Sequence, residues 1–116
     1  AGATLANQFA GLYDLNRNLL AASANLGAAA WGSQTMKAFP MAVPYTVPAD
    51  GLYYIGFFVT ATTVPTYKGH TARTASQLAG QAPILQGTSN AGLTTALPTP
   101  ANAITAATAS IWAAVT

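Results

Sequence analysis

The chain has 116 residues, of which only four are basic and two are acidic, and its net charge is +2. A charged fraction of 5% lies far below the roughly 25% of typical soluble domains, so we expect partners to cover much of the surface. The four cations are spread along the sequence, which argues against a nucleic-acid-binding surface. The lack of cysteine excludes disulfides, thiol catalysis and thiolate metal sites.

The first predicted element is a β-hairpin near the start of the chain. Two apolar runs, Gln8–Tyr13 and Leu19–Ser23, flank the polar, turn-prone segment Asp14–Asn18, and this pattern is typical of two strands joined by a turn. The Ala-rich segment Ala21–Ala30 then predicts a short helical turn before Trp31.

The clearest strand signal covers Leu52–Thr62, which is rich in aromatic and β-branched residues. Alternation along a strand gives it two faces, both apolar. One face carries Tyr53, Ile55, Phe57 and Val59, and the other carries Leu52, Tyr54, Phe58 and Thr60. Because a single exposed sheet shows polar residues on one side, we expect another sheet on the first face and a neighbouring subunit on the second. Gly56 predicts a bulge or a close backbone approach.

A further strand is expected just before this one. Lys37–Phe39 begins an apolar stretch, and Met41–Val47 reads as a strand that a turn at Pro48–Gly51 connects to Leu52–Thr62. The prolines at 44 and 48 place it at a sheet edge or interrupt it.

The second half of the chain alternates polar and apolar segments. The sequence predicts a loop over Val64–His70, a helical turn over Thr71–Leu78 and strands over Pro83–Gln86 and Ile104–Val115. The Gly-, Pro- and Thr-rich stretch Gly87–Ala103 predicts a long surface loop, a feature that often serves recognition.

These elements together predict one domain over residues 1–116. About seven or eight short strands at regular spacing are typical of an all-β antiparallel sandwich of jelly-roll type. One or two short helical turns complete the predicted fold.

Catalytic residue types are scarce. Asp14 and Asp50 both lie in turn sequences, where aspartate bonds to nearby backbone, and His70 is the only histidine. No nucleophile elbow, metal-ligand cluster or phosphate-binding loop is present. We therefore predict a protein that is not an enzyme and that uses no cofactor or metal.

Binding residues are predicted at two places. The exposed loop around His70 holds two of the four cations, and its candidate ligand-binding residues are Tyr67, Lys68, His70 and Arg73. The candidate subunit-interface residues are Tyr54, Phe58 and Trp112. Trp31 suits either sugar stacking or a buried anchor, and the usual burial of tryptophan favours the anchor.

Several segments resemble known proteins. Tyr45–Val59, with its turn followed by Gly-Leu-Tyr-Tyr, resembles trimeric jelly rolls of the complement and tumour-necrosis-factor type. Five other segments, in the same order along the chain, resemble the C-terminal domain of minor tail proteins from phages of actinobacteria. They are Phe9–Leu15, Leu26–Trp31, Ala61–Pro65, Pro83–Ser89 and Gly92–Leu97.

This resemblance implies a β-sandwich head, usually trimeric, on a tail fibre or baseplate, and hence a virion location. Tail proteins of this kind are long, so on this resemblance the chain is a fragment of one, whereas a free-standing small protein fits a capsid decoration or head-fibre role instead. Two functions remain open: attachment to a host cell-wall glycan or surface protein, and a purely structural role as a capsid decoration or head-fibre protein that contacts other virion proteins. No apolar stretch is long enough for membrane insertion.

Overall fold

The computed structural model describes residues 4–32, 35–63, 69–71, 80, 82–107, 109–111 and 113–114. Within these residues the protein is all-β with antiparallel strands and no helix, which confirms the predicted fold class at that level. Seven strands are seen there, five of which have three residues or more. They are β1 (Leu5–Tyr13), β2 (Leu19–Ala22), β3 (Tyr54–Ala61), β4 (Gly69–Thr71), β5 (Gly87–Thr88), β6 (Thr105–Ala106) and β7 (Ala109–Ile111).

The strands form one three-stranded sheet, in the order β2-β1-β3, and two ribbons that pair β4 with β7 and β5 with β6. The central strand β1 supplies the hydrophobic core of the described residues. Its buried apolar members are Leu5, Ala10, Leu12 and Tyr13. The central position contributes to this burial, because in the described part of the sheet β1 alone has a paired strand on each side.

The predicted hairpin is confirmed, since β1 and β2 pair antiparallel across the turn. The register joins Leu12 to Ala21 and Tyr13 to Leu19, so Leu20 is passed over in a bulge. Arg17 takes a φ of 69° in the turn, a left-handed conformation that a non-glycine residue adopts rarely.

The strand predicted over Leu52–Thr62 is also confirmed, as β3, although its partner differs from the expected one. It pairs with β1, in a register that sets Phe58 opposite Phe9 and Phe57 opposite Ala10. The prediction of a strand over Met41–Val47 is wrong, because Met41 forms only an isolated bridge to Ser23. Prolines lack the N–H that a strand ladder needs, and two of them interrupt this region.

Other predicted elements need correction. Ala21–Ala30 is not helical: it begins inside β2, and turns and coil follow. No strand forms at Lys37–Phe39 or at Pro83–Gln86. The loop expected over Gly87–Ala103 begins with β5, and Ile104–Val115 contains β6 and β7 rather than one strand.

The second predicted helical turn lies mostly outside the described residues, since only Thr71 of it is described, at the end of β4. His70, predicted in a loop, lies on the same strand, opposite Ser110.

Loops of the chain itself cover both faces of the three-stranded sheet. On one face, Trp31 and Phe39 pack against Phe57 of β3. On the other face, the backbone carbonyl oxygens of Thr94 and Pro98 accept hydrogen bonds from side chains of β1. Loops of the same chain therefore cover part of both apolar faces of β3, which the sequence pattern did not predict.

Candidate functional site

A completely buried glutamine lies at the centre of the first covered face. Gln8 has no exposed surface, and its Nε2 donates hydrogen bonds to the carbonyl oxygens of Gly27 at 2.7 Å and Ala29 at 2.8 Å. Its Oε1 accepts the indole N–H of Trp31, and its backbone N–H donates to Asn25 Oδ1 at 3.0 Å. These bonds use both donors and the acceptor of the amide inside the protein, which gives Gln8 a structural role.

An aromatic cluster packs beside this glutamine. The ring centroids of Trp31, Phe39 and Phe57 lie 5.3 to 6.0 Å apart, within the range of favourable aromatic pairs. Lys37 Nζ donates to the carbonyl oxygen of Ala30 at 3.0 Å and so fixes the same loop from outside. All three aromatic side chains are half-buried, and Trp31 is held at one end by Gln8 and along its ring by the two phenylalanines.

The opposite face contains a close contact between Tyr13 and two glycines. A Cβ atom at Gly56 would lie 2.8 Å from Tyr13 Cε2, and one at Gly11 would lie 2.7 Å from Leu97 Cδ1. Only residues without side chains fit there. At Gly56 the close neighbour is the Tyr13 ring, so the bulge or close backbone approach predicted from the sequence is wrong. The Tyr13 hydroxyl donates to the carbonyl oxygen of Pro98 at 3.0 Å, and burial raises the pKa of this phenol.

Two of the three predicted interface residues lie on this same face. Phe58 is half-buried and stacks on Phe9, with ring centroids 5.9 Å apart and planes 7° from parallel. Tyr54 is half-buried opposite Tyr13. Trp112 lies outside the described residues.

The predicted ligand-binding residues fall mostly outside the described residues. Tyr67, Lys68 and Arg73 are among those not described. The backbone of His70 lies in β4, directly opposite Ser110 of β7.

Both aspartates lie in turns or bends, as the sequence predicted, and Asp14 makes the hydrogen bonds within its turn that were expected of it. Asp14 Oδ1 and Oδ2 accept hydrogen bonds from the backbone and side-chain nitrogens of Asn18 at 2.8 and 2.9 Å. These bonds, with the side-chain bond first, lower the pKa of Asp14. Asp50 is exposed in a bend. Among the described residues, no group of three or more potential metal ligands comes together.

The least expected feature is a continuous exposed segment, Ala42–Leu52, which we call the arm. Every one of its residues is exposed, including Val43 at 71% and Val47 at 45%. Its backbone hydrogen bond from Ala42 N–H to the carbonyl oxygen of Ala22, at 2.9 Å, attaches its first residue to β2. The strand prediction for Met41–Val47 gave too little weight to Pro44 and Pro48, which prevent these apolar residues from joining a sheet.

A groove of about 320 Å³ separates the start of the arm from β2. We call it the β2 groove. Its lining has no charged side chain and consists of Leu20, Ala21, Ala22, Ala42, Val43, Pro44 and Tyr45. The chemistry of this lining suits apolar groups better than an ion or a highly polar ligand.

No protein-family model, curated protein or solved structure matches this chain. The resemblance to phage tail proteins therefore stays a prediction from the segments that carry it. No helix among the described residues is long and apolar enough to cross a membrane.

Proposed function

We propose that this protein is a non-enzymatic structural component of a virion, the head domain of a tail fibre or baseplate that contributes to attachment to the host surface. The observation that carries this proposal is the combination of very low charge with apolar side chains exposed along the arm. Val43 and Leu52 are 71% and 55% exposed, in a chain that is 5% charged. Contiguous exposed apolar surface on a small protein marks an interaction site.

The same proposal includes the finer fold and the oligomer. The antiparallel strands close as a jelly-roll-like sandwich, and three copies assemble with Tyr54, Phe58 and Trp112 at or near their contacts. The loop with Tyr67, Lys68, His70 and Arg73 then faces the host glycan or surface protein. The resemblance to tail-protein C-terminal domains supports this arrangement.

A second candidate is a capsid decoration or head-fibre protein with a purely structural role. The observation that favours it is the chemistry of the arm and the β2 groove. Their main exposed side chains are aliphatic, which suits contact with another protein, whereas sugar recognition also needs several directed polar groups.

Location on the particle separates these two functions. Purified particles of the phage that encodes the chain are labelled with gold-coupled antibodies raised against it and viewed by electron microscopy. We expect label at the tail tip. Label over the capsid shell would contradict the tail-fibre function and support capsid decoration. Particles that carry no label would contradict both functions.

Attachment is tested with the purified protein and actinobacterial cell walls. We expect the protein to sediment with the walls, and Tyr67→Ala and His70→Ala to reduce the bound fraction severalfold. Met36→Ala is the matched control, because Met36 is 82% exposed and has no part in the proposal. Equal binding by all variants would place the contact elsewhere, and no binding by the wild type would contradict attachment to cell walls.

A further inference from the structure

We propose that the arm is a cleavage site for an endopeptidase that recognises an aromatic side chain, and that the cut protein stays folded as two associated fragments. The bond that is cut joins Tyr45 to Thr46. The enzyme breaks this C–N bond with one molecule of water, which leaves a carboxylate on Tyr45 and an amino group on Thr46. The cleavage does not depend on the proposed virion function.

The backbone of the arm is open to such an enzyme. All of its residues are exposed. After the bond from Ala42 N–H to the carbonyl oxygen of Ala22, no backbone–backbone hydrogen bond between described residues involves residues 43–52. Extended peptides are bound largely through main-chain hydrogen bonds, and exposed backbone without internal bonds is where proteolytic nicking concentrates. The arm therefore offers an enzyme a segment that needs no unfolding.

Side-chain chemistry selects one bond within the arm. Tyr45 is its only aromatic residue, and it is 39% exposed. A peptidase with a hydrophobic specificity pocket takes an aromatic side chain next to the bond that it cuts. The Tyr45 hydroxyl makes no hydrogen bond to any described residue, so its removal from the edge of the β2 groove breaks none. Pro44 and Pro48 protect the bonds before them, because their rings replace the N–H.

The other aromatic residues of the described part of the chain are less accessible than Tyr45. Each of them is buried or half-buried. They are Phe9, Tyr13, Trp31, Phe39, Tyr53, Tyr54, Phe57 and Phe58. A cut inside β1 or β3 requires the strand ladder to open first, and the rate then depends on how rarely that opening occurs. Tyr45 is therefore the first aromatic position that the enzyme reaches.

The cut falls between two strands that pair with each other. Residues 1–45 contain β1 and β2, whereas residues 46–116 contain β3. The ladder between β1 and β3 runs from the pair Leu5–Ala61 to the pair Tyr13–Tyr54. The rings of Trp31 and Phe39, in the first fragment, also pack against Phe57 in the second.

Polar bonds join the two fragments on the opposite face of the sheet. The Tyr13 hydroxyl donates to the carbonyl oxygen of Pro98 at 3.0 Å. Arg17 Nε donates to the carbonyl oxygen of Ala101 at 3.1 Å, and the Ala101 N–H donates back to the Arg17 carbonyl oxygen at 2.9 Å. Hydrolysis between Tyr45 and Thr46 removes none of these contacts, so the fragments stay together.

The first test treats the full chain with a small amount of chymotrypsin and follows the products by mass spectrometry. We expect residues 1–45 and 46–116 as the first products. Thr46→Pro should abolish this cut, because the bond then precedes a proline. Ala49→Pro, at another exposed position of the arm, is the control and should leave the cut in place. A first cut at any other position, or resistance of the arm, overturns the assigned site.

The second test inhibits the enzyme after complete cutting and passes the product over a sizing column. We expect the fragments to elute together at the volume of the intact protein, with its near-ultraviolet circular dichroism, and to separate only in urea. Gly56→Ala, which crowds the Tyr13 ring across β1 and β3, should lower the urea concentration at which they separate. Gly51→Ala, where a Cβ meets nothing closer than 3.8 Å, should not.

The outcomes separate the cleavage from the proposed function. Fragments that part without urea overturn the two-fragment state, even if the cut lies after Tyr45. Neither result alters the expected position of the chain on the particle or its binding to cell walls, so a failure of the cleavage leaves the proposed function standing.

Discussion

The indole N–H of Trp31 donates a hydrogen bond to Oε1 of Gln8, the one side chain among the described residues that is both large and fully buried. Gln8 belongs to the central strand β1, and Trp31 lies in the loop that follows β2 and packs on the sheet. A polar residue in the core thus specifies where the loop lies. Because buried polar groups are costly unless they are bonded, the bonds to Gln8 favour this placement of the loop.

We therefore expect Gln8→Leu to destabilise the protein by about 2 kcal/mol, since it removes the acceptor of the indole N–H and one donor to each of two loop carbonyls. Urea unfolding followed by circular dichroism measures the change. The Trp31 indole N–H should also exchange with solvent faster in the variant, which nuclear magnetic resonance detects.

Gln86→Leu is the matched control for the loss of a glutamine. Gln86 is half-buried, and its Nε2 donates one hydrogen bond, to the carbonyl oxygen of Ala107 at 2.8 Å. Its replacement should cost about 1 kcal/mol or less. Equal effects of the two substitutions would show that the Gln8 network adds nothing to an ordinary side-chain bond.

The contact between Tyr13 and Gly56 gives a second prediction. Gly56→Ala places a Cβ 2.8 Å from the Tyr13 ring, and forced overpacking of this kind costs about 1–3 kcal/mol. Gly51→Ala is the control, since its Cβ would meet nothing closer than 3.8 Å. Chemical denaturation should show a loss of stability for the first variant and almost none for the second.

The double variant Tyr13→Ala with Gly56→Ala distinguishes a clash from a loss of backbone freedom. If the clash is the cause, the added methyl costs less once the ring is absent, so the two free-energy changes are not additive. Additive changes would contradict the close contact between these residues.

The strands that the sequence predicted well are those with strong local signals. β1 and β2 flank a turn whose Asp14 bonds to Asn18, and β3 carries a run of aromatic and β-branched residues. The predicted faces of β3 also agree with the register, because strand alternation has a fixed period of two. What the pattern alone did not give was the partner of β3, which depends on contacts between residues far apart in sequence.

The segments whose structure was predicted wrongly also show that contacts between distant residues cannot be deduced from the local pattern. Met41–Val47 is apolar enough for a strand, but its pairing ends after the bridge at Met41 and the bond from Ala42, and the prolines leave the remainder in the exposed arm. Conversely, Leu97 and Pro98 lie in a segment with turn-forming composition, yet they pack on the sheet. Composition indicates which secondary structure a segment prefers, whereas its burial depends on which other parts of the chain pack against it.

The Asp14 turn provides a prediction about pH. Hydrogen bonds from Asn18 lower the pKa of Asp14 in the folded state, relative to about 3.9 in the unfolded chain. The stabilisation from the ionised carboxylate is therefore present above the unfolded pKa and is lost as the pH falls through the lower folded pKa. A titration of the Asp14 carboxyl carbon by nuclear magnetic resonance should show a midpoint below the ordinary value.

Asn18→Ala should raise that midpoint towards the ordinary value, because it removes the side-chain donor and keeps the backbone N–H. Asn16→Ala is the control, since Asn16 acts on Asp14 through its backbone, which the substitution retains. A midpoint that Asn18→Ala leaves unchanged would contradict the assigned cause.

The stacked pair of Phe9 and Phe58 separates a folding role from an assembly role for the β3 face. Replacement of Phe58 by Asp would disturb both, because the charge would enter a half-buried position. Phe58→Leu is sharper, since it keeps the apolar volume and removes the stacking. A double-mutant cycle with Phe9→Leu should give a coupling energy of about 0.5–1.5 kcal/mol from denaturant unfolding.

Light scattering on the same leucine variant then reports on assembly. If Phe58 acts mainly through Phe9, Phe58→Leu lowers the stability but keeps the oligomer mass, and the contact between copies lies elsewhere. If Phe58 lies between subunits, the variant dissociates at concentrations where the wild type does not. No coupling with Phe9 would show that the 5.9 Å stack contributes nothing beyond its buried area.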